Sequence, residues 1–240
     1  MARKEFMNIK IIAEIGQNYN GDMGLAKDLI CAAKDSGADV AKFQLFDGAK
    51  LFPKENNEWY EYNCKNTLSR NDLFKLNEIC IEYKIEFMAS VFDVERVDWL
   101  EEINVKEYKI ASRSINDKFL ISRLMNTKKS IIASLGMWSK DYFPIELEKY
   151  GASFLYCVSN YPTKINELNF SKVNFNSYAG FSDHTIGINA ALVAMSRGAK
   201  IIEKHFTLNK KMYGPDHSCS MTPDELQEIN KFRIDLLAAF

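Results

Sequence analysis

The sequence has 240 residues, 47% of them apolar and 26% charged, with 31 basic side chains against 32 acidic ones and a net charge of −1. That length suits one large α/β domain, and so even a charge balance gives no footing for nucleic acid or an anionic membrane as a general partner, although local lysines leave room for a small anion. The five cysteines (Cys31, Cys64, Cys80, Cys157, Cys219) form no CxxC pair, which argues against a disulfide framework or a cysteine zinc site and points to a reducing cytoplasm.

The start, Met1 to Lys10, is charged, and the apolar run behind it is broken by Glu14, so neither a signal peptide nor a membrane span is expected. Ile9 to Ile15 is β-branched and apolar apart from Glu14, as a buried strand is. After a loop from Gly16 to Gly21, Leu25, Ala26, Leu29, Ile30 and Ala33 recur at helical spacing up to a stop at Gly37. Val40 to Phe46 reads as the second strand. A polar and aromatic insertion from Asp47 to Leu68 carries Trp59, Tyr60 and Tyr62, and reads either as a lid or interface loop or as a surface excursion with anchoring aromatics. The alternation then runs on: helix 71–83, strand 86–90, helix 94–103, strand 107–111, helix 117–126, strand 130–134, a weak helix 141–150, and strand 152–158. An irregular connection (166–176) leads to strand 178–181, helix 188–197, strand 200–205 and a last helix, 222–239, opened by Thr-Pro-Asp-Glu.

Eight strands in alternation with helices predict a (β/α)8 TIM barrel in a single domain over residues 1–240, with an open doubly wound sheet as the alternative. In such a barrel the working groups stand at the carboxyl ends of the strands. Strand residues two apart share a face, so Lys42 and Gln44 align with Val40, and Glu203 and His205 align with Ile201. Glu14, Lys42, Lys109 and Glu203 are charges inside apolar runs. They must be paired with one another, solvated at the barrel mouth or matched to a ligand, and a lysine pair there suits a phosphate or carboxylate. Ser90, Ser112, Ser134, Ser159 and Ser182 stand at or just past successive strand ends, where small hydroxyls could ring an anion.

His184 and His205 end two apolar runs. On neighbouring strands their imidazoles would reach one divalent ion. Asp183 and Asp216 read either as metal ligand, general base or sugar-hydroxyl acceptor, or as a loop cap and a turn residue. His217, flanked by polar residues, is expected to be exposed rather than a ligand.

Together these motifs are similar to those of the sialic acid synthase family, whose members join phosphoenolpyruvate to an acylamino sugar. The resemblance rests on Ala13-Glu-Ile-Gly-Gln-Asn-Tyr-Asn-Gly21, Ala38-Asp-Val-Ala-Lys-Phe-Gln44, Lys109-Ile-Ala-Ser112, Ser134-Leu-Gly-Met137, Cys157-Val-Ser-Asn-Tyr-Pro-Thr163, Gly180-Phe-Ser-Asp-His-Thr185, Glu203-Lys-His-Phe-Thr207 and Gly214-Pro-Asp216, in the family's order over nearly the whole chain. It implies a TIM barrel and a divalent metal, manganese before magnesium or cobalt, on His184 and His205. Catalysis would fall to Lys42, Lys109, His184 and Asp216. Phosphoenolpyruvate would sit against Lys42, Ser90, Lys109, Ser112, Ser134 and Ser182, and the sugar against Gln44, Tyr161 and Asp216. Ser159, Asn20 and Glu203 complete the expected substrate-binding set. The implied reaction is attack by the methylene carbon of phosphoenolpyruvate on the aldehyde of an open-chain, N-acetylmannosamine-like sugar, with the ion polarising the aldehyde oxygen and phosphate leaving from a tetrahedral intermediate, to give a sialic acid-type product.

Three departures stand out. Tyr19 and Asn20 occupy places where the family usually shows histidine and asparagine or glutamate, Arg113 and Ser114 replace a glycine and a glutamate, and the small antifreeze-like C-terminal domain of typical members is not in this sequence. The expectation is therefore that phosphoenolpyruvate and a divalent ion bind, while the sugar differs from N-acetylmannosamine or its arginine comes from another chain, as in the homodimers of the family. The alternatives are a related synthase that condenses phosphoenolpyruvate with another aldose, and a degenerate barrel that binds ligand without turnover.

Overall fold

The computed structural model describes residues 8–239, so the first residues of the charged start lie outside it. Eight strands, β1 (Lys10–Gly16), β2 (Val40–Leu45), β3 (Glu86–Val91), β4 (Glu107–Ile110), β5 (Ser130–Ser134), β6 (Ser153–Cys157), β7 (Gly180–Asp183) and β8 (Ile201–His205), pair in chain order into a closed barrel. Every pair is parallel, and β8 closes on β1 with Glu14 opposite His205. The predicted barrel is the observed one.

The connections are helices that pack around the strands. They are α1 (Met23–Asp35), α2 (Gly48–Leu51), α3 (Tyr60–Lys65), α4 (Arg70–Glu82), α5 (Val94–Glu102), α6 (Lys118–Asn126), α7 (Ile145–Tyr150), α8 (Asn189–Ser196) and α9 (Pro223–Ala239). Their starts follow from local chemistry. Asp22, Asp93 and Asp117 accept hydrogen bonds from the first free N–H groups of α1, α5 and α6, and Ser69 with Asp72 closes a capping box on α4. Thr222 and Glu225 do the same reciprocally for α9.

Alternation divides each strand between two environments. The outward residues, among them Ile11, Ala13, Ala41, Phe43, Phe87, Tyr108, Ile131 and Phe181, form the main core against the helices. The inward ones build two layers. The lower layer is dry, with Ile12, Val40, Met88, Ile132 and Leu155 packed on one another and Ile201 against them. Two residues further along the same strands the inward positions become Glu14, Lys42, Ser90, Ser134 and Glu203, joined by Lys109 and Ser182, and all of these are buried.

Three elements differ from the sequence expectation. Strand β7 was expected over 178–181 but runs Gly180–Asp183: Ser182 and Asp183 look like loop residues, yet their polar atoms are taken by Glu203 and Lys204 of the neighbouring strand. The weak helix 141–150 starts only after Pro144, whose ring blocks helix further back. The insertion after β2 contains α2 and α3. Among the described residues no helix is long and apolar enough to cross a membrane, and none of the five cysteines is in a disulfide.

Candidate active site

The upper interior layer is a charge network. Lys42 Nζ stands 2.6 Å from Glu14 Oε2 and 3.4 Å from Glu203 Oε2, and Lys109 Nζ lies 3.3 Å from the other oxygen of Glu203. Each ion is further held by a neighbour: Lys42 donates to Ser90 Oγ at 3.0 Å, Lys109 to Ser134 Oγ at 2.8 Å, Ser182 to Glu203 at 2.8 Å, and Gln44 Nε2 to Glu14 at 2.9 Å. Three of the predicted strand-end serines therefore fix the ions. Ser112 instead accepts from Gly136 N at 3.0 Å. A side chain at Gly136 would collide with Ser159 Oγ, so this approach of the loop after β5 requires glycine.

A bulge aims the network. The register of β1 against β2 shifts between Glu14 and Gly16, and Gly16 takes a positive φ of 55°. A Cβ there would stand 3.3 Å from both the Gln44 amide nitrogen and a Glu14 oxygen.

Taking these charges from water is costly unless they answer one another. Burial pushes the Glu203 carboxyl up, but Lys109 and Lys42 outweigh it and bring the group down to about 2. For Lys42 burial works against the charge, and Glu14 and Glu203 overcome it, so its pKa is raised. Lys109 shares one carboxylate and feels Lys42, so desolvation wins and its pKa falls. The two amines are unequal. Lys42 is locked as a cation, whereas Lys109 gains more from a new anionic neighbour.

Above this layer the rings of His184 and His205 lie 5.8 Å apart, with Tyr161 against both, at 4.1 and 5.8 Å between centroids. His184 Nδ1 donates to the Val158 carbonyl at 2.8 Å, which leaves Nε2 unprotonated in the neutral ring. His205 is buried, burial lowers its pKa, and its Nδ1 has no hydrogen-bond partner, with Asp216 Oδ2 at 3.8 Å. For His184 burial works against the charge, but Cys157 and the Val158 carbonyl outweigh it and raise its pKa. Two adjacent imidazoles, one of them with an unsatisfied buried nitrogen, suit a divalent ion, which takes the neutral form of each ring. Among the described residues no group of three or more His, Cys, Asp or Glu gathers into a cage, so an ion here would keep open positions for water or substrate.

Glu14, Lys42, Gln44, Ser90, Lys109, Ser112, Ser134, Tyr161, Ser182, His184, Glu203 and His205 all line this inner cavity. A second, outer chamber of about 610 Å³ opens next to it, and Gln44, Ser112, Tyr161 and His205 border both. Ser159 and Asp216 belong to the outer chamber. So do several residues that sequence reasoning did not single out: Gln17 from the loop after β1, and Phe52, Asn57 and Asn63 from the insertion that carries α2 and α3. The insertion also supplies Trp59, so it walls the chamber and is not a surface excursion.

Geometry corrects two expectations, for Asn20 and His217, and decides an open one, for Asp183, in favour of the loop cap. Asn20 lines neither cavity, because its Oδ1 accepts from Tyr62 Oη at 2.7 Å and faces His217 Nε2 at 3.3 Å. His217 is 1% exposed and bonded through Nδ1 to Thr207 Oγ1 at 2.8 Å, so it is not a surface residue. Asp183 is spent on structure: it pairs with Lys204 at 3.1 Å and accepts from the N–H and hydroxyl of Thr185.

The profile of the NeuB family matches residues 29–235. An uncharacterized protein of Methanocaldococcus jannaschii is 38% identical over 93% of this chain and 70% of its own length. The N,N'-diacetyllegionaminic acid synthase of Legionella pneumophila is 36% identical over 95% of this chain and 72% of its own. Among solved structures, the N-acetylneuraminic acid (sialic acid) synthetase of Leptospira borgpetersenii, crystallised with citrate, superposes with a TM-score of 0.88 and 30% identity over 98% of this chain and 85% of that one.

Proposed function

The chain belongs to the NeuB family, and from that membership together with the barrel-mouth geometry we propose that it condenses phosphoenolpyruvate with an open-chain acylamino sugar to give a sialic acid-type nonulosonic acid and phosphate. The observation that carries the reading is the buried Lys42–Glu203–Lys109 network sharing one cavity with the His184 and His205 imidazoles, with an outer chamber large enough for a sugar. The two named synthases, of N,N'-diacetyllegionaminic acid and of N-acetylneuraminic acid, make different sugar acids, so the reaction type carries over and the sugar does not.

In this reading the inner cavity takes the enol phosphate. Lys42 and Lys109 offer ammonium donors to its phosphate and carboxylate, and Ser112, Ser134 and Ser182 add hydroxyls that already face the cavity. Lys109, with its lowered pKa, gains most from an added anion. His184 and His205 would hold a divalent ion, manganese in the first instance, which when bound polarises the aldehyde oxygen of the acceptor. Gln44, Tyr161 and Asp216 border the outer chamber and orient the open-chain sugar so that its aldehyde carbon faces the methylene carbon. The enol π pair forms the new carbon–carbon bond, and water adds to the enol carbon. One proton of that water ends on the former aldehyde oxygen, and the other leaves with phosphate as the carbon–oxygen bond breaks to give the keto acid. Glu14, paired with Lys42 and hydrogen-bonded by Gln44, is the carboxylate best placed to accept the water's proton.

The test is consumption of phosphoenolpyruvate by the full chain with manganese and a panel of acylamino sugars. One phosphate released per keto acid formed supports the reading. No consumption with any sugar, from a protein to which phosphoenolpyruvate also fails to bind in a titration, overturns it.

A further inference from the structure

The outer chamber holds one cation that the reaction above does not use. Arg113, just beyond β4, lines it and stacks its guanidinium over the Phe52 ring at 5.0 Å, a contact that fixes the plane of the donors. It is the only lysine or arginine among the lining residues. Among the described residues it forms no ion pair and no hydrogen bond. Its sequence neighbour is no counter-charge, since residue 114 is a buried serine. The chamber already carries neutral hydrogen-bonding groups in quantity, in the side-chain amides of Gln17, Gln44, Asn57 and Asn63. A neutral acylamino sugar would be served by those. Asp216, the carboxylate of this chamber, stands against His205 and forms no ion pair with Arg113, and a guanidinium pinned on an aromatic face without an ion-pair partner is built instead for an oxyanion, which it binds through paired N–H donors.

Resting on the function proposed above, we propose that Arg113 is a specificity-determining residue and that the acceptor sugar carries an anionic group, a phosphate monoester or a carboxylate, seated against the N–H edge of the Arg113 guanidinium that Phe52 holds in place. Arg113 lines the outer chamber and not the inner cavity, so it acts on the acceptor and leaves phosphoenolpyruvate to Lys42 and Lys109.

The experiment titrates the full chain, with manganese present and phosphoenolpyruvate withheld so that no condensation runs, with three acceptors: a neutral N-acylhexosamine, its 6-phosphate, and the matching hexuronic acid. The wild type is expected to bind one of the two anionic sugars about 10- to 100-fold more tightly than the neutral one, the range of a bidentate charge-assisted contact. Arg113→Gln should remove that preference and leave the neutral sugar within about threefold of its wild-type affinity. Arg113→Lys keeps the charge without the fork and should recover part of it. Which anionic sugar is preferred tells phosphate from carboxylate. Equal or tighter binding of the neutral sugar by the wild type overturns the inference, as does an Arg113→Gln protein that keeps the preference or instead loses affinity for phosphoenolpyruvate. Binding is read without turnover, so failure of the condensation reaction would be seen separately as absent phosphoenolpyruvate binding or consumption.

Discussion

The two cavities at the barrel mouth are built by different means. The inner one is made of strand residues whose direction is set by the sheet: Glu14, Lys42, Ser90, Lys109, Ser134, Ser182 and Glu203 sit at ladder positions and hold one another by ion pairs and hydrogen bonds. The outer one is made largely of loops and of the insertion with α2 and α3, and among the described residues its side-chain amides form no hydrogen bonds with one another; Gln17 Oε1, for example, is buried without a partner. The first is a preorganised site with little freedom to change, because removing Lys42 leaves Glu14 unpaired and removing Glu203 leaves Lys109 unpaired. The second can be re-cut by single substitutions, as Arg113 illustrates. In the proposed reaction, that division would keep the phosphoenolpyruvate half constant and leave the acceptor variable.

The largest effect should come from breaking the inner network. Lys42→Met leaves Glu14 and Glu203 buried without their common cation, and is expected to cost about 3–5 kcal/mol of stability and to abolish measurable phosphoenolpyruvate binding, read by urea unfolding and calorimetric titration. If the variant is as stable as the wild type, the network is not the closed unit described here.

Next comes the imidazole pair. His205→Ala is expected to lower the metal-dependent rate by about 100-fold or more while the fold holds, and chelation of the wild type should have a similar effect that added manganese reverses. A rate insensitive to chelator would remove the ion from the account.

A pH series sharpens the same comparison. Glu203 is depressed in the folded protein to about 2 from an ordinary 4.5, so it contributes stability that is fully present above pH 4.5 and is lost as pH falls toward 2. The wild type should therefore lose more stability than Glu203→Gln over that interval, measured as the shift in urea midpoint. Equal acid sensitivity would mean that Glu203 is not held by the lysines.

The smallest effects belong to the outer chamber. Trp59→Ala should raise KM for the sugar by about 3- to 10-fold, leave phosphoenolpyruvate affinity unchanged and cost no more than about 1 kcal/mol of stability. A loss of phosphoenolpyruvate affinity would show that the two cavities are coupled.

The same division explains what could be read in the sequence. The inner cavity was legible because strand alternation is local: once Val40 and Ile201 are inward, Lys42, Gln44, Glu203 and His205 must share their face. The closed barrel was legible from the regular alternation of apolar runs and helical spacing. What sequence could not give were partners distant along the chain. Asp183 reads from sequence either as a chemical group or as a loop cap, and Lys204, on the next strand, decides for structure. His217 looked exposed because its neighbours are polar, but Thr207 and Asn20 enclose it. Asn20 was expected at the substrate for its place in a motif, and Tyr62, which follows it only after α1 and β2, takes its oxygen. Phe52, Asn57 and Asn63 carried no local signal, since only the closure of the insertion over the barrel brings them to the chamber.

The most direct measurement is the anomalous-difference map of a crystal soaked with manganese and phosphoenolpyruvate. The account predicts a manganese peak between the imidazoles of His184 and His205 and an enol phosphate in contact with the Lys42 and Lys109 ammonium groups. A peak elsewhere, or phosphoenolpyruvate bound away from both lysines, would contradict it.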